Sequence, residues 1–219
     1  VIKSQIPLSV LLLCAAVLVP AGGAAQSLSA KPLAEAPPSA VADAVRPLLA
    51  EEGVRVTAGA AALDFWWVKT LPVRDGAGAA TWERVEEGTL VGAVRIGALY
   101  RDIRGRTIKP GVYTLRFGIQ PANGDHLGVS PFRQFLLISP VGTDKDPKPL
   151  GHDPAVELAK ATIGSSHPAV WSLNPPVATN AVLSASVNDE GHEAIVFEVP
   201  TSGGTTLRFG LILIGKIEA

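Results

Sequence analysis

Methionine is absent from this 219-residue sequence, and cysteine occurs once, at Cys14. Without methionine there is no thioether to ligate copper. Cys14 lies inside an N-terminal apolar run. If that run is removed, disulfides, zinc–thiolate sites, iron–sulfur clusters and cysteine nucleophiles have no thiol to build on. Charge is sparse and balanced: charged residues make up 18%, with 19 basic against 20 acidic side chains and a formal net charge of -1. Such a chain has no surplus of cations to neutralise phosphates, so no nucleic-acid partner is expected. Beyond the N-terminus no stretch is apolar for the ~20 residues a membrane helix needs, so no transmembrane segment is expected once the leader is gone. The sequence also contains no HExxH, no G-x-S-x-G and no phosphate-cradling glycine loop followed by Lys and a helix.

What is present is apolar and rich in turn formers. Hydrophobic residues make up 47%, and there are 22 glycines and 18 prolines. That composition suits many short strands joined by turns, in a chain long enough to bury a core without disulfides or metals. At the N-terminus Lys3 precedes an apolar run from Ile6 to Val19. Pro20 and Gly22-Gly23 break the run, and the small residues Ala24 and Ala25 follow. Charged n-region, apolar h-region and small-residue site together predict a signal peptide over residues 1–25 and a periplasmic or extracellular product. Leu13 stands before Cys14 where a lipidated cysteine needs a small residue, so Cys14 reads as part of the h-region.

Residues 26–38, rich in Ala, Ser and Pro, read as a flexible lead-in. Residues 39–219 read as a single domain. Val41, Ala44, Val45, Leu48 and Leu49 recur near the helical period and suggest a short helix limited or kinked by Pro47 and ended by Gly53. From there the period becomes two. Leu63, Phe65 and Trp67 alternate with Asp64, Trp66 and Val68. Residues 89–99 form another strand, and Ile103–Ile108 a strand with a glycine turn. After Lys109-Pro110-Gly111, Tyr113, Leu115, Phe117 and Ile119 alternate with Val112, Thr114, Arg116 and Gly118, which predicts one wholly apolar face. Residues 132–139 are a strand, 155–163 a second short helix closed by Gly164, and four further strand segments, PAVWSL, AVLSASV, EAIVFEV and TTLRFGLILIG, end the chain. No βα alternation is present, so the expected fold is all-β: an antiparallel β-sandwich, Ig-like or jelly-roll-like, with one or two short helices.

The segment RDIRGRTIKPGVYTLRFGIQP (101–121), with NGDHLGVSPFRQFLLISPVGTD (123–144) and LDFWWVKTLP (63–72), resembles a family of uncharacterised exported β-sandwich proteins of environmental bacteria. The likeness covers about half of the chain that follows the leader. It implies the sandwich fold and export, and it carries no assigned chemistry.

Candidate site residues follow from side-chain chemistry. Trp66 and Trp67 must face opposite sides of one strand, so one of them is a candidate sugar-stacking platform or contact surface. With Arg133 they are the candidate ligand-binding residues. Asp125, His126 and His152, on two loops that also carry Asp144 and Asp146, are the candidate ligands for a divalent metal; otherwise no cofactor is expected. Neither NGDH nor GTDKD matches the twelve-residue EF-hand loop. Ser166 beside His167 is adjacency without a nucleophile elbow. Asp64, Glu83, Glu86, Glu87 and Asp102 supply carboxylates with no pairing signature for glycoside hydrolysis. Arg101, Asp102, Arg104 and Arg106 read as charged guards of an edge strand. The expected role is a non-enzymatic exported module that binds or packs in the cell envelope, with an envelope protein or polysaccharide as partner. A carbohydrate-binding module using Trp66 or Trp67, and a metal-binding protein or metal-dependent enzyme, are the alternatives.

Overall fold

The structure, a computed structural model, describes residues 28–121, 132–175 and 180–215. Its strands are β1 (Leu28–Leu33), β2 (Gly53–Ala58), β3 (Ala61–Trp67), β4 (Leu90–Ile96), β5 (Tyr100–Arg101), β6 (Thr107–Ile108), β7 (Gly111–Ile119), β8 (Gln134–Pro140), β9 (Val170–Asn174), β10 (Ala185–Val187), β11 (Glu193–Pro200) and β12 (Thr206–Ile214). Helix α1 spans His152–Ile163. Ten strands form one antiparallel sheet in the order β1-β2-β3-β4-β7-β8-β9-β12-β11-β10, and β5 and β6 form a separate hairpin. The sheet curls until β1 touches β10 and β11. Parallel bridges Leu71–Thr201 and Ala80–Leu207 tie the chain after β3 to the β11–β12 turn and to the start of β12. The result is a near-barrel. Among the described residues no helix is long and apolar enough to cross a membrane.

Alternation along β3 decides where the core sits. Phe65 and Trp67 point inward and stack on one another at 5.3 Å. Trp67 meets Phe197 edge-on at 4.8 Å and Phe209 at 5.3 Å, and Phe65 meets Trp171 at 5.5 Å. Strands β3, β9, β11 and β12 thus share one aromatic layer, and rings at these spacings contribute beyond their buried area. Tyr100 reaches the same layer from the β5–β6 hairpin. Its hydroxyl donates to the Leu213 carbonyl and accepts from Trp171 Nε1, and burial pushes its ionisation up beyond the usual tyrosine range.

Several expectations need correction. The stretch expected as a flexible lead-in supplies β1, which pairs with β2 from Leu28↔Ala58 to Leu33↔Gly53 and buries both of its terminal leucines. Of the residues expected on a buried helix face, Val41, Val45 and Leu49 are buried, whereas Ala44 and Leu48 are exposed. Only turns and a 3-10 turn at Arg46–Leu48 form there, because Pro47 can sit in a first turn but not in a continuing helix. Along β7 the face opposite the apolar one is covered as well: Thr114 and Arg116 are fully buried.

The outer face of β2–β4 carries a cross-strand ion cluster. Asp64 lies opposite both Arg55 and Arg95 in the ladder. Arg55 donates to its two oxygens at 2.6 and 2.9 Å, and Arg95 Nη2 at 2.6 Å. Burial alone would push the Asp64 carboxyl up; hydrogen bonds from Arg55 and Arg95 outweigh it and hold the carboxyl below its ordinary value. A depressed folded-state pKa means that Asp64 contributes stability above its unfolded pKa and loses it as pH falls through the folded value. Asp64→Asn should therefore lower the denaturation midpoint at pH 7, and the gap to wild type should narrow steadily below about pH 4. Parallel denaturant titrations down the pH scale check this; a gap independent of pH would contradict it.

Candidate functional site

The sheet carries α1 on the outer face of β8 and β9. Ala155 and Ala159, one turn apart and fully buried, let the helix pack closely on Leu137 and Val170. Thr162 Oγ1 donates to the Ile138 carbonyl at 2.6 Å, and the Ala169 amide donates to the Ala159 carbonyl at 3.2 Å. Gly164 closes the helix at φ 62 and donates to the Lys160 carbonyl. At the other end Glu87 accepts from the Ile119 amide at 2.8 Å and lies 3.0 Å from His152 Nδ1, joining the end of β7 to the first turn of α1.

Beside this helix lies a cleft of about 270 Å³. Phe135 and Val170 from the sheet, Val156 from α1 and Phe132 form its apolar lining. Four basic side chains line it as well: Arg104 from the β5–β6 hairpin, His152 and Lys160 from α1, and His167 from the segment that follows the helix. Among the described residues no aspartate or glutamate lines it. Arg106 Nη1 donates to the Pro168 carbonyl at 3.2 Å and pins the hairpin against this segment.

Arg104 stands apart from the other three side chains. It is only partly exposed, and its Nε is buried with no hydrogen-bond partner among the described residues. The nearby Asp102 Oδ1 accepts from the backbone amides of Arg104 and Arg106, at 3.0 and 2.8 Å. Burial, followed by the charge of Arg106, pushes the Arg104 guanidinium below its ordinary value, against the pull of Asp102. Burial also raises the Asp102 carboxyl, against those two amides and the two arginine charges.

The candidate residues fall differently from the expectation. Trp67 is in the core and Trp66 is fully buried on the opposite face. Trp66 Nε1 donates to the Glu35 carbonyl at 2.8 Å, and the Arg95 guanidinium carbon sits 5.4 Å from its ring centroid. Neither indole presents a face on which a sugar could stack. Arg133 is exposed, and its Nε and Nη2 donate to the Gln120 carbonyl at 3.1 and 2.7 Å, bracing the two ends of segment 121–132. Asp125 and His126 lie outside the described residues. His152 faces Glu87, and among the described residues no group of three or more His, Cys, Asp or Glu side chains is placed to hold a metal. Asp144 forms a buried ion pair with Arg116, whose positive charge opposes a divalent cation at that carboxylate. Ser165 Oγ, not Ser166, engages the backbone of His167 at 2.8 and 3.2 Å, a local turn rather than a nucleophile–base pair.

Sequence reasoning missed the cleft and Arg104. The available signal was the run of basic residues at Arg101, Arg104 and Arg106, which read as an edge guard. No protein-family model matches the chain, and no curated protein or solved structure shows significant similarity to it.

Proposed function

We propose that this chain is an exported, non-enzymatic β-sandwich module that works by binding in a periplasmic or extracellular setting, with the cleft beside α1 as its ligand site. The observation that carries the reading is a concave site with an apolar lining and converging polar groups, held on packed elements of the fold, which is the usual make-up of a small-molecule site. The sandwich reading draws on the aromatic layer, in which Phe65 and Trp67 of one part of the curled sheet face Phe197 and Phe209 of another. Export draws on the leader pattern of residues 1–25 and on the resemblance to exported proteins. A binding role suits the carboxylates: Asp64 and Asp144 are taken up by arginines and Asp102 by backbone amides, so these three serve the architecture. A polysaccharide partner held by Trp66 or Trp67 is not favoured, because both rings are covered.

Val156 lines the cleft from α1, and tryptophan in its place fills the space. Native mass spectrometry of the purified protein after incubation with a small-molecule extract of bacterial envelopes should show an adduct. The Val156→Trp variant, folded by circular dichroism, should lose it. No adduct on wild type, or an adduct kept by the variant, would remove the cleft from consideration.

A further inference from the structure

We infer that the α1 cleft selects a small amphipathic monoanion, an aromatic or short-chain carboxylate, whose head pairs with Arg104 and whose body lies on Phe132, Phe135, Val156 and Val170. This rests on the binding reading above and adds the chemical class.

The first ground is the charge imbalance. Arg104, Lys160, His152 and His167 line the cleft, and among the described residues no carboxylate does. Lys160 is already paired with Glu157 at 2.5 Å and His152 faces Glu87 at 3.0 Å, whereas the Arg104 guanidinium has no ion-pair partner among the described residues and the neighbouring Asp102 accepts from two backbone amides. The second ground is Arg104 itself. Its guanidinium is partly buried and lacks an ion-pair partner among the described residues, so an anion in the cleft supplies the missing counter-charge. Guanidinium geometry favours a planar carboxylate bound through two parallel hydrogen bonds. The third ground is the lining: two aromatic and two branched aliphatic side chains beside that cation call for an apolar body attached to the head. The volume sets the size. About 270 Å³ lies at the lower edge of the roughly 300–1,000 Å³ typical of ligand pockets, which suits a single ring with a short side chain.

Isothermal titration calorimetry with 3-phenylpropanoate, its neutral amide 3-phenylpropanamide and inorganic phosphate tests the class on the unmodified protein. The carboxylate should bind saturably, and at least tenfold more tightly than the amide or phosphate. Arg104→Gln should bring the carboxylate down to the level of the amide, and Val156→Trp should abolish both. Equal affinity for carboxylate and amide would overturn the anion selectivity while leaving the cleft as a binding site. Phosphate binding without carboxylate binding would overturn the amphipathic class. Failure of both organic ligands to bind would overturn the class and count against the site as well. The wild-type comparison decides the matter even if Arg104→Gln does not fold.

Discussion

Replacing Asp144 with alanine should cost this protein about 3–5 kcal/mol of stability. The Arg116–Asp144 pair is sealed from solvent, with 0% and 1% of the two side chains exposed. Arg116 Nε and Nη2 each donate at 2.7 Å to Asp144, one to each oxygen. Arg116 also donates to the carbonyls of Gly88 at 2.7 Å, Lys148 at 2.9 Å and Asp146, and Thr114 Oγ1 donates to Asp144 at 2.6 Å. Removing the carboxylate leaves a guanidinium in a dry site with no counter-charge, and desolvation that the pair had offset becomes a net penalty. Asparagine should do little better, since it removes the charge and turns an amide N–H toward a donor. The double variant Arg116→Met/Asp144→Leu should recover part of the loss, because an apolar pair carries no stranded charge. Recovery should stay incomplete, because three backbone carbonyls lose the donor that held them. Urea titrations of the single and double variants give these differences directly. A loss below about 1 kcal/mol for Asp144→Ala would mean that water reaches Arg116.

Arg116 also shows where reading residues one at a time stops. Alternation along β7 is legible, and it correctly assigns Leu115 and Phe117 to the core. It assigns Thr114 and Arg116 to the other face, which a two-residue period can only call polar. That the chain from Asp144 to Lys148 folds over this face and brings a carboxylate and two carbonyls to one guanidinium is a tertiary fact. The tryptophan pair behaves in the same way. Opposite facing of Trp66 and Trp67 follows from the pleat, whereas the cover on Trp66 comes from Arg95 on a neighbouring strand and Glu35 after β1. Strand β1 escaped notice because Ala, Ser and Pro weaken the pattern; only Leu28 and Leu33, at its two ends, are buried there. Pro47 cut short a helix of whose apolar positions only Val41, Val45 and Leu49 are buried. Local chemistry was readable where it repeats along one element. The α1 cleft was not, because its lining comes from the β5–β6 hairpin, β8, β9 and α1, which sequence distance keeps apart.

Gly88→Ala should be nearly as damaging, at roughly 2–5 kcal/mol, and its effect should travel to the cleft. Gly88 sits at φ +76, in the left-handed region that a residue with a Cβ enters at a cost. An added Cβ would also lie 2.5 Å from the Gly151 nitrogen and 2.8 Å from the Leu150 nitrogen, both backbone atoms that cannot swing aside. Gly88 is a junction as well. Its amide donates to the Phe117 carbonyl at 2.8 Å, and its own carbonyl accepts from Arg116 at 2.7 Å. Pushing Leu150–Gly151 away displaces the residues that immediately precede His152, the first residue of α1 and part of the cleft lining. Amide hydrogen exchange should therefore quicken in the first turn of α1 more than in β11 or β12, and 3-phenylpropanoate binding should weaken at temperatures where the variant is still folded. Gly142→Ala, in the turn after β8, supplies the contrast. Gly142 has no strained φ and open space where its Cβ would go, so alanine there should leave stability unchanged or raise it by about 0.4–1 kcal/mol. If Gly88→Ala matched Gly142→Ala, the contact between residue 88 and the approach to α1 would not be holding the helix in place, and the coupling of sheet to cleft would fail with it.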